Sequence, residues 1–295
     1  MVEIKGIDNG YAFTKDNERR MFKSAYSMTD NVIGGTNHLV IDGIDYFVGC
    51  GLMTCDVDKT NTIINKICTI TNLAMTGEKE YYIVAGLPIG SYKTQKDDLR
   101  QSILKYNECD VRLANGRKFG YIIKDVYIFP QGAAALYSSD FQGDCIIVDI
   151  GGLTIDVAYV EYNFNKPRIA QSDTWYKGMR ILYGSIIEQI NNRFKLRLET
   201  QQAEKILLEG LSVKGEKQDM SFLQDTYTNY INPILDELEL KYPTDIVPMK
   251  LIGGGSTFLQ NAFKKRFVTV DIVSDSQFSN AIGYFNIGKS VFANR

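Results

Sequence analysis

The sequence is poorest in histidine: its one copy, His38, lies in a polar stretch near glycines. A Ser-His-Asp triad or a two-histidine metal site would have to grow from that residue, and no motif around it fits either. It reads as a solvated loop side chain. Cysteine is scarce and unpaired in pattern. Cys50, Cys55, Cys68, Cys109 and Cys145 are odd in number and contain no C-x-x-C, so they read as reduced thiols packed as small hydrophobes. A basic excess is missing: 33 Lys+Arg face 35 Asp+Glu, a net charge of −2, with a pI near 5.6. That balance argues against direct binding of nucleic acid. No stretch approaches the roughly 18 apolar residues of a membrane span; the uncharged run over 126–139 contains Pro130 and Gly132. The N-terminus lacks the apolar core of a signal peptide, so the expected location is the cytoplasm. Neither a Walker A loop nor a G-x-G-x-x-G turn occurs. The chemistry left to the chain uses carboxylates, amides, glycine backbone and a bound metal.

What is present begins with a long-range repeat. Asp8-Asn9-Gly10 closes one short apolar run, and Asp149-Ile150-Gly151-Gly152 closes another 141 residues later. Both read strand, Asp, glycine turn, strand, which implies two related lobes facing each other. At 295 residues and 44% apolar content, two intimate lobes without a linker are expected. The boundaries expected are 1–141 for the first lobe, completed by a C-terminal helix over 279–295, and 142–278 for the second. In the first lobe, residues 20–26, 39–41, 46–49, 81–85, 121–123 and 126–129 read as strands. Thr94 reads as the cap of a helix with Leu99, Ile103 and Leu104 on one face, and a helix is expected from Gln131 through Leu136. In the second lobe, 145–148 reads as a buried strand. A helix over 180–194 clusters Ile181, Leu182, Ile186, Ile187, Ile190 and Phe194. Thr200 reads as the cap of a helix that Gly210 ends, 212–221 as a loop, and 222–242 as a helix that Pro233 kinks or divides.

An Asp at a strand end beside a glycine turn supports two kinds of chemistry. The carboxylate holds a hard cation, usually through waters, and the glycines let backbone N–H groups approach a phosphate. Two such turns on opposite lobes, with Lys15 and Asp156 each seven residues after the leading Asp, point to a shared polyphosphate site. The expected roles put Lys15 on the β-phosphate, with Asp8 and Asp149 facing each other across Mg²⁺. Gly253-Gly254-Gly255, between a buried strand and a helix, is a third element suited to a phosphate or nucleoside; a plain tight turn is its other reading.

The ordered set Asp8-Asn9-Gly10…Thr14-Lys15, Gln131-Gly132-Ala133-Ala134, Asp149-x-Gly151-Gly152-x-Thr154-x-Asp156, Gly253-Gly254-Gly255-Ser256 and Asn280-Ala281-x-Gly283 resembles the actin, sugar kinase and heat-shock chaperone superfamily. These segments look like its phosphate-1, connect-1, phosphate-2, adenosine and connect-2 motifs. The Asp-x-Gly-Tyr-x-x-Thr-Lys form of the first turn, with Gly86-Leu87-Pro88, is similar to the ParM-type plasmid-segregation branch of bacterial actin-like proteins. The resemblance implies an α/β, actin-like fold: two facing lobes, each with a ribonuclease H-like core, around a nucleotide cleft. It implies ATP or GTP with Mg²⁺, bound by Asn9, Gly10, Tyr11, Lys15, Gly151, Gly152, Thr154, Asp156, Gly253, Gly254, Gly255 and Ser256. Asp8 and Asp149 would position the metal through waters, and Gln131 would orient the attacking water. Thr154 would bond the γ-phosphate and Asp156 a metal-bound water. Glu204 and Lys205 are candidates for the base. Tyr11 stands where actin has a serine, so contact there is expected from backbone N–H groups. The resemblance further implies homopolymeric filaments, coupled to plasmid DNA by an adaptor protein bound at a centromere, with no direct contact to nucleic acid or membrane. The short stretch between the phosphate-2 and adenosine motifs implies a reduced outer subdomain in the second lobe. The rival readings are a small-molecule kinase of the same fold, for which the first lobe's cleft-facing motifs offer no clear extra Asp as base, Asp125 and Asp140 beside the connecting segment being expected at the surface, and a non-polymerising scaffold ATPase.

Overall fold

The computed structural model describes residues 2–30, 37–53, 58–138, 143–163 and 166–293. Cys55 and Asp140 lie outside them. In chain order the first lobe contains β1 (Glu3–Asn9), β2 (Phe13–Asp16), β3 (Met21–Lys23), β4 (Ala25–Ser27), β5 (Asn37–Ile41), β6 (Ile44–Val48), β7 (Leu52–Met53), α1 (Ile63–Thr76), β8 (Glu80–Leu87), α2 (Ile89–Lys105), β9 (Val111–Leu113) and β10 (Ile122–Pro130). A 3-10 turn, Ala133–Tyr137, leads into the second lobe. There follow β11 (Cys145–Ile150), β12 (Ile155–Asn163), β13 (Lys166–Trp175), α3 (Met179–Phe194), α4 (Ala203–Glu209), β14 (Ser212–Val213), β15 (Glu216–Lys217), α5 (Gln224–Lys241), β16 (Met249–Ile252), α6 (Ser256–Arg266), β17 (Val270–Ile272) and α7 (Ser279–Val291).

The two core sheets repeat one topology. Their strand orders are β3-β2-β1-β8-β10 and β13-β12-β11-β16-β17. Counted within each lobe, both run 3-2-1-4-5. In each, strands 1 to 3 are antiparallel, whereas strands 1, 4 and 5 are parallel. Parallel strands need covered faces, and the sequence meets that need. All six residues of β11 are buried. Tyr81, Ile83 and Leu87 of β8 are fully buried too, each such side chain contributing about 2 kcal/mol through apolar burial. The lobes differ in what is inserted between strands 3 and 4. The first carries most of an outer sheet there, β7-β4-β6-β5-β9, whose edge strand β9 comes from the connection between strands 4 and 5. In the second, the stretch between α3 and α5 holds 3-10 turns, α4 and the two-stranded hairpin β14-β15. The C-terminal α7 packs on the first lobe, where Tyr284 and Ile287 join Val84 and Ala134 in one buried cluster.

Several local expectations give way to tertiary context. Residues 20–26 split at Ser24 into β3 and β4, which join different sheets, and the Ser24 hydroxyl donates to the Gly10 carbonyl at 2.7 Å. The two runs 121–123 and 126–129 become one strand with an irregularity between Ile123 and Asp125. Thr94 caps nothing, because α2 already begins at Ile89. Its first N–H groups are capped from the second lobe, Ile89 by Asp156 Oδ1 (3.3 Å) and Gly90 by Thr174 Oγ1 (3.0 Å). The helix expected from Gln131 starts at Ala133 and is 3-10, since the Gln131 N–H still bonds Leu87 and the chain then turns through Gly132 at φ +78. Thr200 opens a 3-10 turn whose cap is Glu199, in a reciprocal capping box with Gln202. Ile181 is 52% exposed rather than part of the buried face of α3. Residues 212–221 include β14 and β15, and α5 runs unbroken through Pro233. His38 lies on β5, not in a loop. Its Nε2 meets Asp45 Oδ1 at 2.8 Å, and its ring stacks on Phe47.

Candidate functional site

The two Asp-Gly turns are equivalent bond for bond. In the first hairpin Asp8 pairs with Lys15, and in the second Asp149 pairs with Asp156. The Gly10 N–H donates to the Phe13 carbonyl (3.0 Å), and the Gly151 N–H to the Thr154 carbonyl (2.9 Å). Each of these positions lies 141 residues from its counterpart. The turns touch across the lobe interface. A Cβ on Gly152 would stand 2.9 Å from the Ala12 Cβ, so only glycine admits the approach. Between them opens a cavity of about 680 Å³ lined by both lobes, within the range of sites that enclose a small ligand.

Most of the residues singled out from the sequence line this cleft. Asp8, Gly10, Tyr11, Lys15, Gln131, Asp149, Gly151, Gly152, Thr154, Asp156 and the three glycines at 253–255 all do. Asn9 and Ser256 do not. The Asn9 side chain faces α1, donating to Asn65 Oδ1 and Thr69 Oγ1. The Ser256 hydroxyl turns back onto the Gly253 carbonyl (2.7 Å) and fastens the glycine turn. That turn rests on the second hairpin: the Gly255 N–H bonds the Ile150 carbonyl (3.0 Å). Gly253 has φ +81, and a Cβ there would lie 2.5 Å from Asp149 Oδ1. Glu204 lines the cleft, but Lys205 is exposed and pairs with Glu209. Asp125, which flanks the connecting segment, does not line the cleft and is engaged by Arg100 (2.5 Å) and by the Val126 N–H.

The carboxylates are held by amides. Gln131 Nε2 donates to Asp8 Oδ1 (2.8 Å), and Asn280 Nδ2 to Asp149 Oδ2 (2.7 Å). Asn280 also accepts the Gly132 N–H (2.9 Å), so α7 clamps the connecting segment to the second hairpin. Burial, then the charges of Asp156 and Asp8, push the Asp149 carboxyl up to about 7. Burial likewise raises Asp156 to about 6, against the pull of its hydrogen bonds and Lys59. Both oxygens of Asp156 are occupied, Oδ1 by the Thr174 hydroxyl and the Ile89 N–H, Oδ2 by the Thr154 hydroxyl (3.2 Å). Two buried carboxylates that resist ionisation, with the Asp8 carboxyl facing the same cavity, fit a divalent cation electrostatically. Among the described residues no three acidic, histidine or cysteine side chains form a direct metal cage. Asp8 and Asp149 are placed so that they would hold such a cation through its waters, the mode Mg²⁺ prefers.

Sequence reasoning missed part of the lining. Lys23, Arg180, Tyr183, Leu198, Glu199 and Gln277 also face the cleft. None of them belongs to a glycine turn, and no local pattern marks them.

Two family models match the chain. "Actin like proteins N terminal domain" covers residues 6–133, and "Archaeal actin homologue MreB-like, C-terminal" covers residues 147–265. No curated protein matches the sequence. Among solved structures, a 15-stranded ParM filament from Clostridium botulinum is 23% identical with a TM-score of 0.80, over 98% of this chain and 100% of that one. An archaeal actin homologue in complex with ADP is 20% identical with a TM-score of 0.82, over 98% and 100%. A Bacillus thuringiensis ParM with ATP is 15% identical with a TM-score of 0.68, over 99% and 100%.

Proposed function

The chain is an actin-like protein, and from that premise we propose that it binds ATP or GTP with Mg²⁺ in the cleft, polymerises, and hydrolyses the nucleotide within the filament. The observation that carries this reading is the pair of equivalent hairpins, which bring Asp8 with Lys15 and Asp149 with Asp156 to one cavity from opposite lobes. Lys15 and the Gly152 N–H stabilise phosphate charge; the Gly10 and Gly151 N–H groups, expected in that role, are spent within their own hairpins. Asp8 and Asp149 would hold the hydrated metal, which would supply positive charge beside the phosphates. Gln131, tied to Asp8, orients the attacking water. Phosphoryl transfer depends mainly on positioning and electrostatics, and these groups supply both. Thr154 bonds the γ-phosphate and releases Asp156 Oδ2 when it does. The glycine turn at 253–255 and the wall formed by Tyr183 and Glu204 receive the nucleoside.

Nucleotide closes the lobes, closed protomers join end to end, and hydrolysis weakens the joints. The solved 15-stranded ParM filament is built on this kind of fold, which supports self-association here. The cargo proposed is plasmid DNA in the cytoplasm, reached through a DNA-binding adaptor, a division of labour that the net charge of −2 suits. The test is light scattering and phosphate release after adding ATP or GTP with and without Mg²⁺. Prompt, sedimentable, nucleotide-dependent filaments are expected. Turnover that depends on a small-molecule acceptor, without scattering, would favour the kinase, and turnover without either would favour the scaffold ATPase.

A further inference from the structure

Lys59, in the segment before α1, has no place in the sequence motifs and does not line the cleft, yet it is 6% exposed. No ion pair within 4.0 Å holds it among the described residues. Its ammonium donates to the Asn9 carbonyl (2.8 Å) and lies 4.4 Å over the Tyr11 ring. Asn9 and Tyr11 flank Gly10, so the cation sits directly behind the first glycine turn, whose other side faces the cavity. The backbone of Lys59 is fixed as well: Asn65 Nδ2 donates to its carbonyl (2.9 Å), and Asn65 also receives the Asn9 amide. Burial lowers the pKa of this ammonium, while Asp8, Asp156 and Asp149 raise it from a distance.

A buried cation without a close counter-charge is costly, and an apolar side chain of the same size would avoid the cost. The expense makes sense where further negative charge arrives on the far side of the turn. We infer that Lys59 is a positioning residue for polyphosphate, a fixed cation that braces the first hairpin from behind and offsets the charge of the bound phosphates through the turn. The inference rests on the nucleotide reading above and adds to it a residue outside the cleft.

The test compares affinities of wild type, Lys59→Met and Lys59→Arg for adenosine, ADP and ATP, each with Mg²⁺, by calorimetry. Lys59→Met keeps the bulk beside Tyr11 and removes the charge. ATP affinity should fall about tenfold or more, since a unit charge acts over this range in a partly shielded interior. ADP should fall less and adenosine not at all, and Lys59→Arg should recover most of the loss. An equal loss for all three ligands would make Lys59 a packing residue, and unchanged ATP affinity would remove its role altogether. Either result overturns the inference while leaving the cleft a nucleotide site. Wild-type protein that binds none of the three overturns the nucleotide reading, and the inference with it. Should Lys59→Met not fold, Lys59→Gln, which can still donate to Asn9, carries the same comparison.

Discussion

Replacing Asp149 by Asn should strengthen the empty protein and disable the loaded one. The carboxyl titrates near 7 in the fold against an ordinary 3.8. A folded group with a raised pKa holds its proton more tightly than the unfolded chain does. Its penalty is therefore absent below about pH 4, grows between pH 4 and 7, and is complete above that. At about 1.4 kcal/mol per tenfold change in proton affinity, the ionised Asp149 withholds about 4 kcal/mol from the ligand-free fold. Asn has the same shape, can still accept the Asn280 amide that lies 2.7 Å from Oδ2, and carries no charge. Urea unfolding of wild type and Asp149→Asn in EDTA should give matching stabilities near pH 4. The variant should gain an advantage that widens to about 4 kcal/mol by pH 8. Adding Mg²⁺ and nucleotide should reverse the order, because only the wild type keeps the metal-positioning carboxylate, and it should be stabilised by mass action. A stability difference in EDTA that stays flat from pH 4 to 8 would refute the reasoning, as would an Asn variant that gains as much from Mg-nucleotide as the wild type.

Gln131→Ala removes the amide that bonds Asp8 and orients water, so phosphate release should slow about 10²-fold while filaments still form; release and scattering followed in one sample check this, and a wild-type rate would sink the role. Gly254→Val should fold and bind nucleotide more weakly, since a Cβ there meets only the Gln277 side chain at 3.5 Å. Gly253→Val, at φ +81 and 2.5 Å from Asp149, should lose about 1–3 kcal/mol of stability before any ligand is added; thermal melts and nucleotide titration of both variants separate the two effects. Arg19→Ala breaks an ion pair with Asp275 whose side chains are 57% and 42% exposed, so the urea unfolding midpoint should hardly move.

The hairpins were legible because their information is local. An Asp two residues before a glycine fixes the turn, and the seven-residue spacing to Lys15 and Asp156 fixes the partner across it. Helix α3 followed from its apolar run within a residue of both ends, and α7 starts at Ser279 as expected but ends at Val291 rather than reaching 295. What failed to read was whatever one lobe does for the other. The start of α2 has no local cap because Asp156 and Thr174, 67 and 84 residues away, supply it. No propensity argument reaches that far. Asp156, a lining residue of the cleft, thereby also joins the cleft to the start of a helix in the opposite lobe.

Asn9 shows a subtler limit. In sequence, Asn-Gly at a hairpin is a ligand-like turn, and nothing nearby says which way the amide points. The signal lay in α1. Asn65, Thr69 and Asn72 recur at i, i+4 and i+7 among Ile64, Ile67, Ile70 and Leu73, and all of them are buried. A helix that buries a polar stripe beside an apolar one must find hydrogen-bond partners for it. The partners are the first hairpin itself: Asn9 for Asn65 and Thr69, and Asp16 for Asn72. The stripe also accounts for Lys59, since Asn65 holds the carbonyl of the residue whose ammonium reaches Asn9. Helix α1 thus grips the cleft-facing turn at its start and β2 at its end, and a buried polar stripe on a helix next to a glycine hairpin is the pattern by which such a grip could be read in advance.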